Sequence, residues 1–395
     1  MEKLKEIEVW FNNKEKIGVI KKINQRPYTT SFRYDKQWLK NGFSISPFSL
    51  PLEDKEFIAN LFLFLFDGIF GVFADSLPDS WGRLLENMIL RSAGIDPGEI
   101  DPINRLYMIG ELGMGALTYS PMLEFDIEGN NNIDLDKLSL SCKEIITVDN
   151  SEYLDELYKL GEFLGGSKPK ILIKFDEEEW IIKFPSLLDK SGIGKQEYDY
   201  SICAKNCEID MPETRLFSSE ISKGYFGVKR FDRGMNNERI HMITASALLE
   251  TSHRIPNLDY NDLMKFTKQL TSSEEEIKKM FKLMCFNIFS HNRDDHSKNF
   301  SFIYDLEAKS WKLSPAYDLT YSHSIGGEHA TTVNGNGRDP GLKEILEIAK
   351  KINLNIDFAK ETALNIEKIV KKELKKYLAT DKSNNKIITK NKNNI

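Results

Sequence analysis

The stretch SHNRDDHSKNFSF, Ser290 to Phe302, directly follows FKLMCFNIF, which is almost wholly apolar. A run that apolar belongs inside a core. The chain must therefore fold so that a buried segment ends abruptly in a dense group of ionisable side chains. Such a group can be a metal cluster, a phosphoryl-transfer loop, or a polar loop that ends a helix. As a metal cluster it would use His291, Asp294, Asp295 and His296, imidazole and carboxylate ligands suited to zinc or iron. As a phosphoryl-transfer loop it would use Asp294 and Asn299, spaced D-x-x-x-x-N. The aspartate would then accept the proton of an acceptor hydroxyl, and the asparagine would hold Mg²⁺.

The second possibility demands further features in a fixed order, and they are present. A phosphate-cradling turn is offered by LGGSKPK, Leu164 to Lys170; a strand lysine by Lys183 in WIIKFP; a helix glutamate by Glu197 in KQEYDYS. A second metal-binding aspartate, Asp318 in LSPAYDLT, follows a hairpin-like run. Each has an ordinary explanation taken singly: Gly165-Gly166 as a helix C-cap, Lys183 as an edge-strand lysine, Glu197 as an exposed helix residue, Asp318 as a turn aspartate. The metal cluster accounts for four residues, whereas phosphoryl transfer accounts for five separated features in order. Of the adjacent carboxylates, Asp294 is expected to carry the chemistry and Asp295 to matter far less.

Bulk properties narrow the choice. At 395 residues the chain is long for one core, so two or more domains are expected. With 54 basic against 60 acidic residues the net charge is −6, which argues against a broad nucleic-acid-binding surface. No charged-then-apolar signal pattern opens the sequence. The most apolar run, LFLFLFDGIFGVF, is interrupted by Asp67 too soon to span a bilayer. Cys142, Cys203, Cys207 and Cys285 form no CxxC pair and read as reduced thiols. A cytoplasmic protein without membrane association is expected.

Along the chain, IEVWF, KIGVIKK and TTSFRYD read as an antiparallel sheet with NNKE as a turn. DSWGRLLENMILRSAG reads as a helix capped by Asp79 or Ser80 and stopped by Gly94. The Asn-rich stretch from Asp126 to Asp136 is a linker candidate. SEYLDELYKLGEFLGG has helical period, KILIKF and WIIKFP are strands joined by the acidic turn DEEE, and the pattern turns helical from about Leu248. Only Phe300 to Leu319 departs from that, reading as a hairpin. The Lys- and Asn-rich end reads as disordered.

With these motifs in place, the chain resembles the HipA family of toxin-type serine/threonine kinases from about Ile7 to Leu354. FRYDKQWL, SISPFSLPL and GVFADSLPDSWGRLLEN are similar to its N-terminal subdomain, LGGSKPKILIKF to its phosphate loop, and VKRFDR, NRDDHSKNFS and LSPAYDLT to its hinge, catalytic loop and metal-binding segment. The resemblance implies an α+β fold: a two-lobed protein-kinase-like core with a β-rich N-terminal subdomain and an α-helical C-terminal lobe. The expected division is 1–125 N-terminal subdomain, 126–149 linker, 150–247 mixed lobe with the phosphate loop, 248–376 helical lobe, and 377–395 disordered tail.

The implied activity is ATP- and Mg²⁺-dependent phosphorylation of a protein, a translation factor such as an aminoacyl-tRNA synthetase. The implied partner is a HipB-like helix-turn-helix antitoxin, through which alone DNA would be reached. By the same resemblance Asp294 is the catalytic base and Lys298 assists at the transferred phosphate. Asn299 and Asp318 hold Mg²⁺, Lys183 meets the ATP phosphates, and Glu197 orients Lys183. Gly165, Gly166, Ser167, Lys168 and Lys170 form the phosphate loop, and Lys229, Arg230 and Phe231 lie at the hinge. Phe163 departs from the family, standing where members often carry an autophosphorylated serine. A small-molecule phosphotransferase and a catalytically silent co-repressor that binds only the antitoxin are the competing functions.

Overall fold

The computed structural model describes residues 4–25, 28–59, 65–123, 133–148, 154, 157, 160, 168–187, 189, 192–234 and 238–379. It falls into two compact units. The first comprises Met1–Gly194, Arg215–Thr251 and Ser301–Lys309, and the second Lys195–Thr214, Ser252–Phe300 and Ser310–Ile395.

The first unit opens with an antiparallel sheet of β1 (Glu6–Phe11), β2 (Glu15–Gln25), β3 (Tyr28–Tyr34), β4 (Glu56–Ile58) and β5 (Leu117–Ser120), in the order β4-β3-β2-β1-β5. Strict alternation builds it: Ile7, Val9 and Phe11 of β1 are buried while their neighbours face outward. The expected turn is present, with Asn12 and Asn13 both left-handed and Lys14 N–H donating to Phe11 O at 2.9 Å.

A second sheet carries β6 (Lys170–Phe175), β7 (Glu178–Lys183), β8 (Thr214–Phe217) and β9 (Tyr225–Lys229), in the order β6-β7-β9-β8. Asp176 and Glu177 take left-handed conformations in the acidic turn between β6 and β7. One face of this sheet, with Ile171, Ile173, Trp180 and Ile182, shares a core with Trp81, Leu85 and Met88 of the helix Ser80–Ser92. That helix begins after Asp79 and ends before Gly94, whose φ of 72° the sequence reading anticipates.

Three boundaries differ from expectation. The span 126–149, read as a linker, contains the helix Leu135–Val148, and Leu138, Cys142 and Ile145 join the same core. Asp136, at its start, accepts hydrogen bonds from Ser219 Oγ at 2.6 Å, Glu220 N at 2.8 Å and Tyr225 Oη at 2.7 Å. The last residues of that polar stretch thus form an anchored helix start, while residues 126–132 lie outside the described residues. Next, Ser301–Asp305 belongs with the first unit because it pairs with Met242–Thr244. Finally, most of the helix Ile193–Asn206 groups with the second unit rather than with the mixed lobe.

The second unit is built on the helix Glu274–Ser290, which buries Ile277, Met280, Phe281, Leu283, Met284, Cys285, Phe286 and Ile288. Ser273 caps it, accepting from Glu276 N, and three glutamates complement its N-terminal dipole. It packs against the helices Tyr260–Thr271 and Ile356–Glu373. Tyr377, placed in the expected disordered tail, is in fact held, donating its hydroxyl to Asp199 at 2.7 Å. The tail from residue 380 onward lies outside the described residues.

One buried group in the first unit makes stability depend on pH. His241 is 1% exposed and its Nε2 bonds to Ile45 O at 2.9 Å. Burial pushes its imidazole down to about 4. An unfolded chain protonates this histidine near its ordinary value of about 6.5, while the folded chain resists until about 4. The histidine's contribution is therefore complete above that upper value and is lost as pH falls through the window, a change of about 3 kcal/mol. Urea titrations at pH 7.5 and pH 4.5 should show a smaller acid loss in His241→Gln than in the wild type.

Candidate active site

In the second unit the buried helix ends because His291 adopts a left-handed φ of 55°, its N–H bonding back to Ile288 O at 3.3 Å. The polar burst then turns on two buried anchors. The first is Asn292, 2% exposed, whose amide donates to Asn287 Oδ1 at 2.9 Å. The second is Asp295, fully buried, which accepts from Tyr260 Oη at 2.9 Å, from His329 Nδ1 at 2.9 Å and from Thr331 N at 3.1 Å. Asn287 Nδ2 donates to Tyr260 Oη at 2.9 Å, so both anchors belong to one buried network. Asp294 stands between them with its side chain 61% exposed.

The rest of the loop is equally fixed. His296 Nδ1 accepts from Lys298 N at 3.3 Å and starts the short 3₁₀ turn Ser297–Asn299. Asn299 Nδ2 donates to Asp294 O at 2.7 Å, closing the D-x-x-x-x-N spacing into a ring. The segment holding Asp318 runs beside this loop. Tyr317 Oη donates to Lys298 O at 2.6 Å, and Ser322 N donates to His291 O at 3.1 Å while Asn292 and Ser322 form a parallel bridge. Asp318 lies between these two attachments, left-handed with φ 58°. The structure thus brings the segments carrying Asp294, Lys298, Asn299 and Asp318 to one place.

A transition-metal cluster is not assembled by the same residues. Asp295 is turned into the core while Asp294 faces outward. Among the described residues no three His, Cys, Asp or Glu side chains converge on a metal position. Asn299 and Asp318 are a different donor set, an amide and a carboxylate oxygen. Asn299 is held by its nitrogen, which turns its oxygen away from the Asp294 carbonyl. Hard oxygen donors of this kind suit Mg²⁺. Glu197, also in this unit, is 3% exposed on the helix Ile193–Asn206, buried rather than solvent-facing.

The other expected site residues lie in the first unit. Lys170 and Lys183 are direct partners in the β6–β7 register, on the face opposite Ile171 and Ile182. Lys183 Nζ is 5.6 Å from the centre of the Phe226 ring, and Phe226 is its register partner on β9. Lys168 Nζ is 3.7 Å from Asp189. Phe163, Gly165, Gly166 and Ser167 lie outside the described residues. Lys229 pairs with Glu178, and Phe231 is half-buried.

Arg230 is 3% exposed and packed among its own neighbours. It grips Asp232 through Nε at 2.9 Å and Nη2 at 2.7 Å, and reaches Glu179 through Nη1 at 2.9 Å. Arg233 adds a 2.8 Å bond to Asp232, and Gly115 N donates to it at 2.7 Å. Against the cost of burial, Arg230 and Arg233 hold the Asp232 carboxyl well below the usual carboxylate range. The Arg230 guanidinium therefore serves a buried ion cluster.

The sequence reading missed Asp295, Tyr260, His329, Asn287 and Thr331 as builders of the site. Asp295 finds its partners 34 to 36 positions away in the chain, so no local pattern announces them.

The family model described as the HipA-like C-terminal domain matches residues 163–376, and the HipA N-terminal domain model matches residues 7–120. The chain belongs to the HipA family. HipA from the toxin–antitoxin system of Shewanella oneidensis, solved with HipB and operator DNA, shares the fold with a TM-score of 0.68. That match has 18% identity and covers 94% of this chain and 91% of that one. The α+β, HipA-like architecture expected from sequence is therefore the one found. Two curated proteins are also similar over 205 residues, 46% of this chain. "Putative kinase Y4dM" of Sinorhizobium fredii is 25% identical across 49% of its length, and a "Putative kinase" of Haemophilus influenzae is 24% identical across 57% of its length. The chain spans about half the length of these curated relatives.

Asp295, expected from sequence to affect phosphoryl transfer far less than Asp294, should be the costlier carboxylate for folding. Asp295→Asn places an amide nitrogen against existing donors in a dry site and should destabilise by about 2–4 kcal/mol. Asp294→Asn, at an exposed position, should change stability by less than about 0.5 kcal/mol. Denaturant midpoints of the two variants check this; equal midpoints would refute it.

Proposed function

We propose that this HipA-family protein is an ATP- and Mg²⁺-dependent serine/threonine protein kinase, the toxin of a HipA/HipB-like pair. The observation that carries it is the loop that exposes Asp294 between two buried anchors, closed by Asn299 and flanked by the Asp318 segment. Phosphoryl transfer asks for alignment and charge neutralisation more than covalent chemistry. Asp294, exposed on the loop, would accept the proton of a serine or threonine hydroxyl. Asn299 and Asp318 would hold Mg²⁺, which when bound neutralises phosphate charge. Lys298 would meet the phosphate in transit. In the first unit, two lysines opposed on one sheet face favour a polyanion such as the ATP phosphates.

The kinase names of the curated relatives agree with this reading. A HipB-like antitoxin is the proposed partner because the Shewanella HipA was solved with HipB and operator DNA. DNA would then be reached through the antitoxin. The proposed substrate is a translation factor such as an aminoacyl-tRNA synthetase.

Incubation with labelled ATP, Mg²⁺ and a cell extract lacking this protein tests the proposal. Label should appear on a protein, on serine or threonine, and Asp294→Asn should reduce transfer about 10²- to 10⁴-fold while binding ATP normally. Label confined to a small molecule would replace the protein-kinase reading with a small-molecule phosphotransferase. No Mg²⁺-dependent transfer at all would leave a silent co-repressor.

A further inference from the structure

Within the second unit, the end of the helix Ile356–Glu373 and the chain just beyond it grip one stripe of the helix Ile193–Asn206. Asp199 accepts from Tyr377 Oη at 2.7 Å and Lys376 Nζ at 2.8 Å, and pairs with Lys195 one turn earlier. Asn206 Nδ2 donates to both carboxylate oxygens of Glu373, at 3.0 and 3.1 Å. The Tyr377 and Tyr200 rings have centroids 5.9 Å apart. Tyr200 in turn donates its hydroxyl to Ser290 O at 2.8 Å, where the central helix enters the Asp294 loop.

Helical geometry gives this grip a direction. Asp199 and Asn206 are seven positions apart and share one stripe, whereas Glu197 lies about 160° away around the helix. The buried side of the helix carries Glu197 together with Tyr200, Ser201, Cys203 and Ala204, and the grip on Asp199 and Asn206 closes its more exposed side. Burial works against the Asp199 charge, yet the hydrogen bonds from Lys195, Lys376 and Tyr377 hold its carboxyl below the usual range, so it is ionised at neutral pH. Lys376 is 61% exposed and contributes little by itself, which leaves the half-buried Tyr377 hydroxyl as the main fastening.

We propose that Tyr377, Lys376 and Asp199 are positioning residues, a strap that fixes the helix Ile193–Asn206 and with it Glu197. Residues at the far end of the chain then govern phosphoryl transfer without touching nucleotide. The activity half of this inference rests on the kinase reading, which counts Glu197 among the nucleotide-binding residues. The structural half does not.

Tyr377→Phe removes only the hydroxyl, and Asp199→Asn removes the charge. Both are made in the full chain and compared with the wild type by hydrogen exchange and by steady-state kinetics. Amides of the helix Ile193–Asn206 should exchange about tenfold faster, while those of Glu274–Ser290 stay unchanged. kcat/KM for ATP should fall about tenfold, and Asp199→Glu should recover part of the loss. Unchanged exchange in 193–206, or equal acceleration in both helices, overturns the strap. Localised acceleration with full retention of activity overturns its catalytic role. Localised acceleration in a chain whose wild type transfers no phosphate upholds the strap and removes the kinase reading instead.

Discussion

The carboxylate of Asp295 is the point on which the order of the loop 291–299 depends. A buried carboxyl is tolerated only where partners surround it, and here a tyrosine hydroxyl, an imidazole and a backbone N–H converge on one side chain. Those partners come from a helix and from the segment 329–331, so the carboxylate ties distant chain to the end of the central helix. With Asn292 fixed on the other side, the intervening backbone has little freedom, and Asp294 is exposed by the same contacts that bury Asp295. A side chain held on a rigid loop loses little further freedom when a ligand meets it.

The first unit uses a comparable device for another purpose. Asp232 lies among Arg230, Arg233 and the Gly115 N–H, joining the strand end after β9 to β7 and to the loop before β5. The N-terminal sheet and the lysine-bearing sheet thus share a buried, charge-assisted cluster. The Arg230 guanidinium, expected at the hinge, is engaged with Asp232 and Glu179 of its own unit. Lys170 and Lys183 are set opposite each other by strand register.

Polar sequence misled in two places for one reason. The start of the helix Leu135–Val148 lies in a polar stretch and the short helical segment 375–379 opens a Lys- and Asn-rich end, yet both are pinned by hydrogen bonds to residues far along the chain. Composition reports whether a segment can bury apolar area by itself. It does not report whether a distant hydroxyl or carboxylate waits for it.

The sequence by itself determined the local elements and the order of the motifs. Alternation wrote β1, the Asn-Asn pair wrote its turn, Asp79 and Gly94 bounded their helix, and the apolar run before Ser290 wrote the central helix, because each depends on neighbours a few residues away. It also determined the Asp294–Asn299 spacing, which closes through one short hydrogen bond. Only the tertiary structure decided which of two adjacent aspartates faces outward. It likewise decided that Ser301–Asp305 pairs with Met242–Thr244, and that Asp199 meets Tyr377, 178 positions later. These outcomes depend on partners brought together by packing, and the identity of a buried charge's partner is a property of the fold rather than of its neighbours in sequence.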